Sequence, residues 1–487
     1  MGFIRRLESS SRPRLPPGPK PLPLIGNLHQ LMRTSRYQWL QFQRWASTYG
    51  PVTYLSAAGQ PLVVLSTQAA AYDLLAKRGA RYSDRPRLIV AVEIATRNLH
   101  GSMRPFNNRW LQMHKLMAPL LSPAAANRYR PVQHMESRQL LVDLVEGYDR
   151  EGERGQDFWP LVERTTASAI YALLYSYRLR SGHDKALRDA HLVQGNFSRA
   201  GKMGAYLVDL FPSLNHLPRA LAPWKAEGDA LFKMEADMHT KNFEKGLANP
   251  GWNLCKQFRD SCEASGVSAF ETAWTIGDVG LAGLDTSAII LEWFVVACVA
   301  HGKRFVATAR RALDDVVGCE RLPTYEDRPR LVYIDAIVQE LLRWRPVSPA
   351  GVPHATKHED SYMGFRIPAG STVIPNFWAI TRDESVFGAD PDAFVPERWL
   401  DINADGNGKL RSLPQTSFGF GRRSCPGRHV ALNGLFVVVA HLLWAFDIEA
   451  VAGCEVDDTD WVDGVLVKPR HFKAVFRPRG PWLSGEY

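Results

Sequence analysis

The sequence predicts a mainly α fold with a smaller β region, an α+β arrangement. Three observations carry this expectation. Helical periodicity runs through residues 110–320, with breaks at Pro212, Pro218, Pro223 and Asn249-Pro250-Gly251. Two long apolar stretches, Ala273–Ala300 and Val430–Phe446, read as buried helices. Strand-type runs are confined to residues 51–66 and 352–375.

Taken in order, residues 1–30 form a basic, proline-rich lead-in, with Leu15-Pro16-Pro17-Gly18-Pro19-Lys20 at its centre. Proline fixes φ and removes donors, so this segment is stiff and extended. No later linker divides the chain, and residues 31–487 are expected to form one domain. Pro51–Leu55 and Pro61–Leu65 read as two strands around Ala58-Gly59-Gln60, followed by a helix near Thr67–Arg78. Residues 376–416 hold many Gly, Pro, Asp and Asn and read as an irregular segment. There is no internal repeat.

The bulk properties narrow the function classes. The chain has 487 residues, 45% hydrophobic and 22% charged, enough for a core that buries a cofactor. A net charge of +9 suits acidic lipids, an acidic protein or nucleic acid. The charge is spread along the chain without a finger spacing or a long basic block, which argues against nucleic acid. Six irregularly spaced cysteines make no disulfide framework and point to a reducing compartment. The start, Met1-Gly2-Phe3-Ile4-Arg5-Arg6, contains no apolar anchor, and Arg6 breaks the myristoylation pattern. The apolar runs contain Asp278, Asp285 and Glu292 in one case and Asn433 and His441 in the other, so both read as core helices.

The chemistry centres on Phe418-Gly419-Phe420-Gly421-Arg422-Arg423-Ser424-Cys425-Pro426-Gly427. One cysteine lies in a turn rich in glycine, just before a helix. Gly419, Gly421 and Gly427 let backbone N–H groups approach an acceptor closely. The helix N-terminus adds positive potential. Both effects are expected to favour a Cys425 thiolate, as a nucleophile or a soft metal ligand. A zinc or iron–sulfur site needs several ligands at short spacing, and Cys425 has only His429 nearby. One axial thiolate is enough for haem iron. Arg423 then suits a haem propionate, and Phe418 packs beneath the ring. The plainer alternative is a structural cysteine in a buried loop.

A second constellation is Ala282-Gly283-Leu284-Asp285-Thr286 within the long apolar helix. Ala282 and Thr286 share a face as i and i+4. Small residues there leave room for a diatomic ligand or water, or alternatively make a packing notch. A mid-helix threonine often bonds its hydroxyl back to the i−4 carbonyl. Glu340 and Arg343, at i and i+3, are followed by Arg398 in Pro396-Glu397-Arg398-Trp399. Trp110 and His114 are i and i+4 on an expected helix, and His354 follows Gly351-Val352-Pro353.

The pattern F-x-x-G-x-R-x-C-x-G is met at Phe418, Gly421, Arg423, Cys425 and Gly427. This stretch resembles the haem-ligand loop of the cytochrome P450 family, and the resemblance extends from about Leu15 to Arg477. It implies the P450 fold, a long central helix over a haem b held by Cys425. It implies oxygen activation at Ala282, Gly283, Asp285 and Thr286. It also implies a structural triad of Glu340, Arg343 and Arg398. Trp110, His114, His354 and Arg423 fall at positions that reach the haem propionates, with His114 where the family commonly has Arg. Asn376–Ile380, Arg382-Asp383 and Pro391–Trp399 fit the microsomal, fungal-type branch, often found in secondary-metabolite pathways.

The implied activity is a monooxygenase that activates O2 with electrons from an NADPH-dependent reductase. It would oxidise a lipophilic small molecule. Lys115, Arg422 and Arg428 are expected on the reductase-facing side. Pocket walls are expected from Leu88–Phe106, Phe197–Leu210, Val279–Gly283, Val347–Val352 and around Val465. Two alternatives stand beside this one, a haem-thiolate isomerase or dehydratase and a non-catalytic haem-binding protein. The branch implies the cytosolic face of the endoplasmic reticulum. The sequence as written lacks the usual anchor, so soluble or peripheral behaviour is expected.

Overall fold

The computed structural model describes residues 13–33, 36–202, 204–402 and 408–484. The longer helices are α1 (Gln38–Tyr49), α2 (Asn108–Met117), α3 (Arg130–Glu151), α4 (Trp159–Tyr175), α5 (Lys185–Ala200), α6 (Pro223–Ala248), α7 (Leu254–Glu263), α8 (Ala269–Val316), α9 (Val332–Trp344) and α10 (Arg428–Ala445). The strands used below are β1 (Val52–Ala57), β2 (Gln60–Leu65), β3 (His354–Ala355), β4 (Thr372–Pro375), β5 (Phe446–Ala450) and β6 (Ala474–Pro478). The chain is mainly helical with small sheets, as expected.

β1 and β2 form an antiparallel hairpin, Val52 opposite Leu65 and Ala57 opposite Gln60. Ala58 and Gly59 both take positive φ, the pair a tight hairpin turn requires. β4 adds parallel to β2, and β3 closes the sheet antiparallel to β4. The helix expected after the hairpin starts at Gln68, capped by Thr67, and widens over Tyr72–Lys77. The lead-in is not free of the domain. Arg14 O accepts from Arg366 N at 2.8 Å and Pro17 O from Tyr54 N at 3.0 Å, so this segment is bonded to β1 and to the separate strand Phe365–Ile367. Met1–Arg6 lie outside the described residues.

α8 is longer than the apolar run alone indicates. Ser268 caps it, with its hydroxyl accepting from Glu271 N, so the helix begins at Ala269. Beyond Ala300 one buried face continues through Phe305, Ala309 and Leu313, at i, i+4 and i+8. Pro223 opens α6 instead of interrupting it, because a first-turn proline loses no helical hydrogen bond. The C-terminal pair of β5 and β6, with Phe476 opposite Ile448, was not foreseen.

α8 and α10 are both long and apolar enough to cross a membrane. However, 67% and 72% of their most apolar windows are buried in this fold. They are core helices. Trp293 and Phe294 of α8, Trp344 of α9 and Phe436 and Trp444 of α10 belong to the same buried apolar cluster. That shared core fixes α8 relative to the loop that precedes α10.

Candidate active site

The cysteine loop is shaped before any ligand is considered. Gly419 and Gly421 take φ of +75° and +57°. A Cβ on Gly421 would stand 2.2 Å from the Leu75 carbonyl oxygen, so only glycine fits. The Cys425 amide donates to Phe418 O at 2.7 Å and closes the loop. Gly427 has φ −80°, which any residue adopts, and a Cβ there would lie 3.9 Å from Cys425 Sγ. The loop is also tied to α9. Ser417 Oγ donates to Leu342 O, and Gln415 Nε2 donates to Gln339 Oε1. Phe418 packs against the main core.

Cys425 is exposed, yet protein crowds round it. Burial raises its thiol, and the Gly427 and Arg428 amides and the Arg428 charge only partly offset this. The expected bias towards a thiolate is therefore not met by the protein alone. The donors are present, but desolvation outweighs them until a cation stands at the sulfur.

Arg423 is the centre of a second group. Its Nε donates to Ser83 O at 2.8 Å and Nη2 to Arg104 O at 2.7 Å. Its Nη1 is buried with no hydrogen-bond partner among the described residues. The guanidinium lies 4.3 Å from the Trp110 ring centroid, and Trp110 stacks on His114 at 4.7 Å. Burial, then Arg423, lowers the His114 imidazole. His354 Nδ1 pairs with Tyr82 O at 2.7 Å. Burial, Arg85 and Arg423 together hold His354 well below its ordinary value. Trp110, His114, His354 and Arg423 thus gather in one place.

Arg85 completes that group, and the sequence reading passed over it. Its Nε donates to Ser102 O and its Nη1 to Pro353 O. Burial and Arg423 push it down to about 9. The hydrogen bonds of both arginines end on carbonyl oxygens, and neither arginine has a carboxylate partner among the described residues. Buried cations with an orphaned N–H call for an anion. The propionates of a haem are such anions, and the residues present therefore fit the group. The available signal for Arg85 was its place in Tyr82-Ser83-Asp84-Arg85-Pro86, just before the expected pocket wall.

On α8, Ala282 is exposed in the middle of an otherwise apolar helix. Thr286 Oγ1, on the same face, donates to Ala282 O at 2.8 Å. Gly283 is turned elsewhere. A Cβ there would meet Ile170 of α4 at 2.9 Å, so its smallness serves close helix packing. Asp285 Oδ1 lies 3.0 Å from His191 Nε2 on α5. Thr166 of α4 donates to Leu284 O at 3.1 Å.

The expected walls partly converge. Leu88, Val92, Met103, Phe197, Ala200, Tyr206 and Val352 join in one apolar cluster. Val465 stays outside it and is exposed. Glu340 receives both Arg343 and Arg398, all three buried. Arg343 also donates to the carbonyls of Thr381, Pro391 and Ala393, which locks the irregular segment onto α9.

Known proteins similar to this chain belong to one family. The cytochrome P450 family profile matches residues 16–476. Cytochrome P450 monooxygenase aneD of Aspergillus aculeatus is 38% identical over 96% of this chain and 89% of its own length. Cytochrome P450 monooxygenase drtD of Aspergillus calidoustus is 36% identical over 96% of this chain and 86% of its own. Cytochrome P450 monooxygenase peniB of Penicillium patulum is 34% identical, with 96% and 85% covered. With a cysteine loop, a cationic cradle and matches of this extent, the chain belongs to the cytochrome P450 family, among its fungal monooxygenases.

Proposed function

We propose that this monooxygenase oxidises a lipophilic small molecule in a fungal secondary-metabolite pathway, with electrons from an NADPH-dependent reductase. Residues 31–487 act as one catalytic domain. The observation that carries the reading is the retained acid–alcohol pair on α8. Thr286 faces the same side as the exposed Ala282, and Asp285 leads outward to His191. Isomerases and dehydratases of this family often lack such a pair.

Cys425 is the candidate iron ligand, with the backbone at Gly419 and Gly427 around it and Phe418 beneath. Arg423, His354, Trp110 and His114 would hold the propionate edge, and Arg85 adds charge there. Ala282 leaves space on the opposite side. Bound in this site, haem iron with a thiolate ligand supplies activation of O2 and insertion of one oxygen atom. The chain's own residues do the rest. The Thr286 hydroxyl can release Ala282 O and donate to an oxygen or a water. Asp285 exchanges protons between that water and His191. The apolar cluster from Leu88 to Val352 excludes bulk water and favours a lipophilic substrate.

Lys115, Arg422 and Arg428 are all exposed, which supports docking of an acidic reductase surface. A groove of about 710 Å³ is lined by Phe418, Gly419, Phe420, Gly421 and Arg428. By the habit of its branch, the protein works at the cytosolic face of the endoplasmic reticulum membrane.

The test is Cys425→Ala. The wild type should give the thiolate-type carbon-monoxide spectrum when reduced, and the variant should lose it. A variant with the wild-type spectrum would overturn the site. Turnover of a lipid hydroperoxide without NADPH would move the protein to the isomerase class.

A further inference from the structure

Away from the cysteine loop, three metal-type side chains meet between α6 and α8. Glu235 and His239 stand at i and i+4 on α6, and Asp278 faces them from α8. One ligand atom from each lies within 4.8 Å of the other two. Glu235 and His239 side chains are 6% and 1% exposed, so water does not satisfy them. They meet each other through His239 Nε2 and Glu235 Oε1. Asp278 Oδ1 and His239 Nδ1 are buried without a hydrogen-bond partner among the described residues.

Among the described residues no lysine or arginine is hydrogen-bonded to Glu235 or Asp278. Arg104 acts on Asp278 only from a distance and is itself paired with Glu271. A divalent cation would balance two carboxylates and leave the pocket neutral, which a monovalent one cannot. The imidazole among the donors selects a borderline first-row ion over calcium or magnesium, which take oxygen ligands.

We propose that Glu235, His239 and Asp278 form a zinc site that ties α6 to α8. Glu235 Oε1 and His239 Nε2 are 3.3 Å apart, close to the ~3.3 Å edge of a tetrahedron with ~2.0 Å bonds. Asp278 closes the remaining gap. Its Oδ2 is held by the Gly101 amide at 2.7 Å, which leaves Oδ1 as the ligand oxygen and orients it. Gly277 makes room for the arrangement, since a Cβ there would overlap the His239 ring. With three protein ligands the site has an open fourth position. Through Gly101 the ion would fasten residues 88–106 to both helices. A pocket wall would then be held by metal as well as by apolar packing.

The experiment uses the tag-free, haem-loaded full chain. It is dialysed against a weak chelator, then equilibrated with micromolar free zinc, and zinc is measured per chain by mass spectrometry. One zinc per chain is expected. Its X-ray absorption edge should show nitrogen and oxygen neighbours, including imidazole, and no sulfur. Glu235→Gln and Asp278→Asn should weaken zinc binding at least about tenfold while keeping the reduced carbon-monoxide spectrum. Substoichiometric zinc in the wild type would overturn the site. So would a sulfur shell, which would mean capture by exposed Cys319 or Cys454. Equal zinc retention by the two variants would also overturn it. If a variant fails to fold, the wild-type stoichiometry and absorption edge still decide. Zinc is counted per chain, so failure here is separable from failure of the haem assignment.

Discussion

Asp285 Oδ1 stands 3.0 Å from His191 Nε2 and joins the central helix α8 to α5. The contact pairs a carboxylate with an imidazole. Burial pushes the imidazole down, Asp285 and Glu163 pull it up, and Lys468 opposes them. The net effect raises it above its ordinary value. Such a group contributes stability in full below its unfolded value of ~6.5, and that contribution is lost as pH rises through the folded value. His191→Gln should therefore lower the thermal midpoint most in mildly acidic buffer. The gap to wild type should narrow as pH rises past neutrality. A gap that is independent of pH would mean the pair is not charged.

Glu340 is the most heavily bonded carboxylate near the cysteine loop. Its Oε1 accepts from Arg343 Nη2, Arg398 Nε and the Val395 amide, and its Oε2 accepts from Arg343 Nε and Trp399 Nε1. Removing one partner of a buried ionic cluster leaves the others uncompensated. Glu340→Ala should cost about 3–5 kcal/mol, measurable by denaturant unfolding. Haem content should fall with it, because Gln415 and Ser417 are anchored to the same helix. Full stability and haem loading in this variant would contradict the structural role.

The sequence made local relationships legible and left distant ones hidden. The cysteine loop is contiguous, so its glycines and Cys425 could be read from spacing alone. Ala282 with Thr286, and Trp110 with His114, followed from helical period. Arg85 beside Arg423, His191 against Asp285, and Glu235 with His239 opposite Asp278 depend on how remote helices and loops pack. No single-chain periodicity reports such meetings. Gly283 shows the converse. It sits inside the oxygen-activation pattern, yet its missing Cβ faces Ile170. β5 and β6 were missed because their polar and proline residues, such as Asp447, Glu449 and Pro478, dilute the strand signal.

Two loop glycines should behave differently. Gly421→Ala forces a positive φ on alanine and places a Cβ 2.2 Å from Leu75 O, a backbone atom that cannot swing aside. The positive φ alone costs about 1–3 kcal/mol. The variant should lose stability and haem together. Gly427→Ala meets only Cys425 Sγ at 3.9 Å and has ordinary φ. It should fold normally, with any effect confined to the reduced carbon-monoxide band. If both variants unfolded at the wild-type midpoint, the close approach at Gly421 would be wrong.

The sharpest test of chemistry is Thr286. In this structure its hydroxyl donates to Ala282 O, which a purely structural residue would also do. Thr286→Val keeps the branched shape and deletes the hydroxyl. If the residue only packs, product formed per NADPH consumed will not change. If the hydroxyl passes protons onward from Asp285, NADPH consumption should continue while peroxide accumulates and product falls. General acid–base participation is typically worth about 10²–10⁴-fold. Water can occupy part of the vacated position, so a loss at or below the lower end of that range is expected. The measurement is the ratio of product to NADPH and of peroxide to NADPH in haem-loaded protein. Unchanged coupling would return Thr286 to helix packing and leave the proton route to be sought elsewhere.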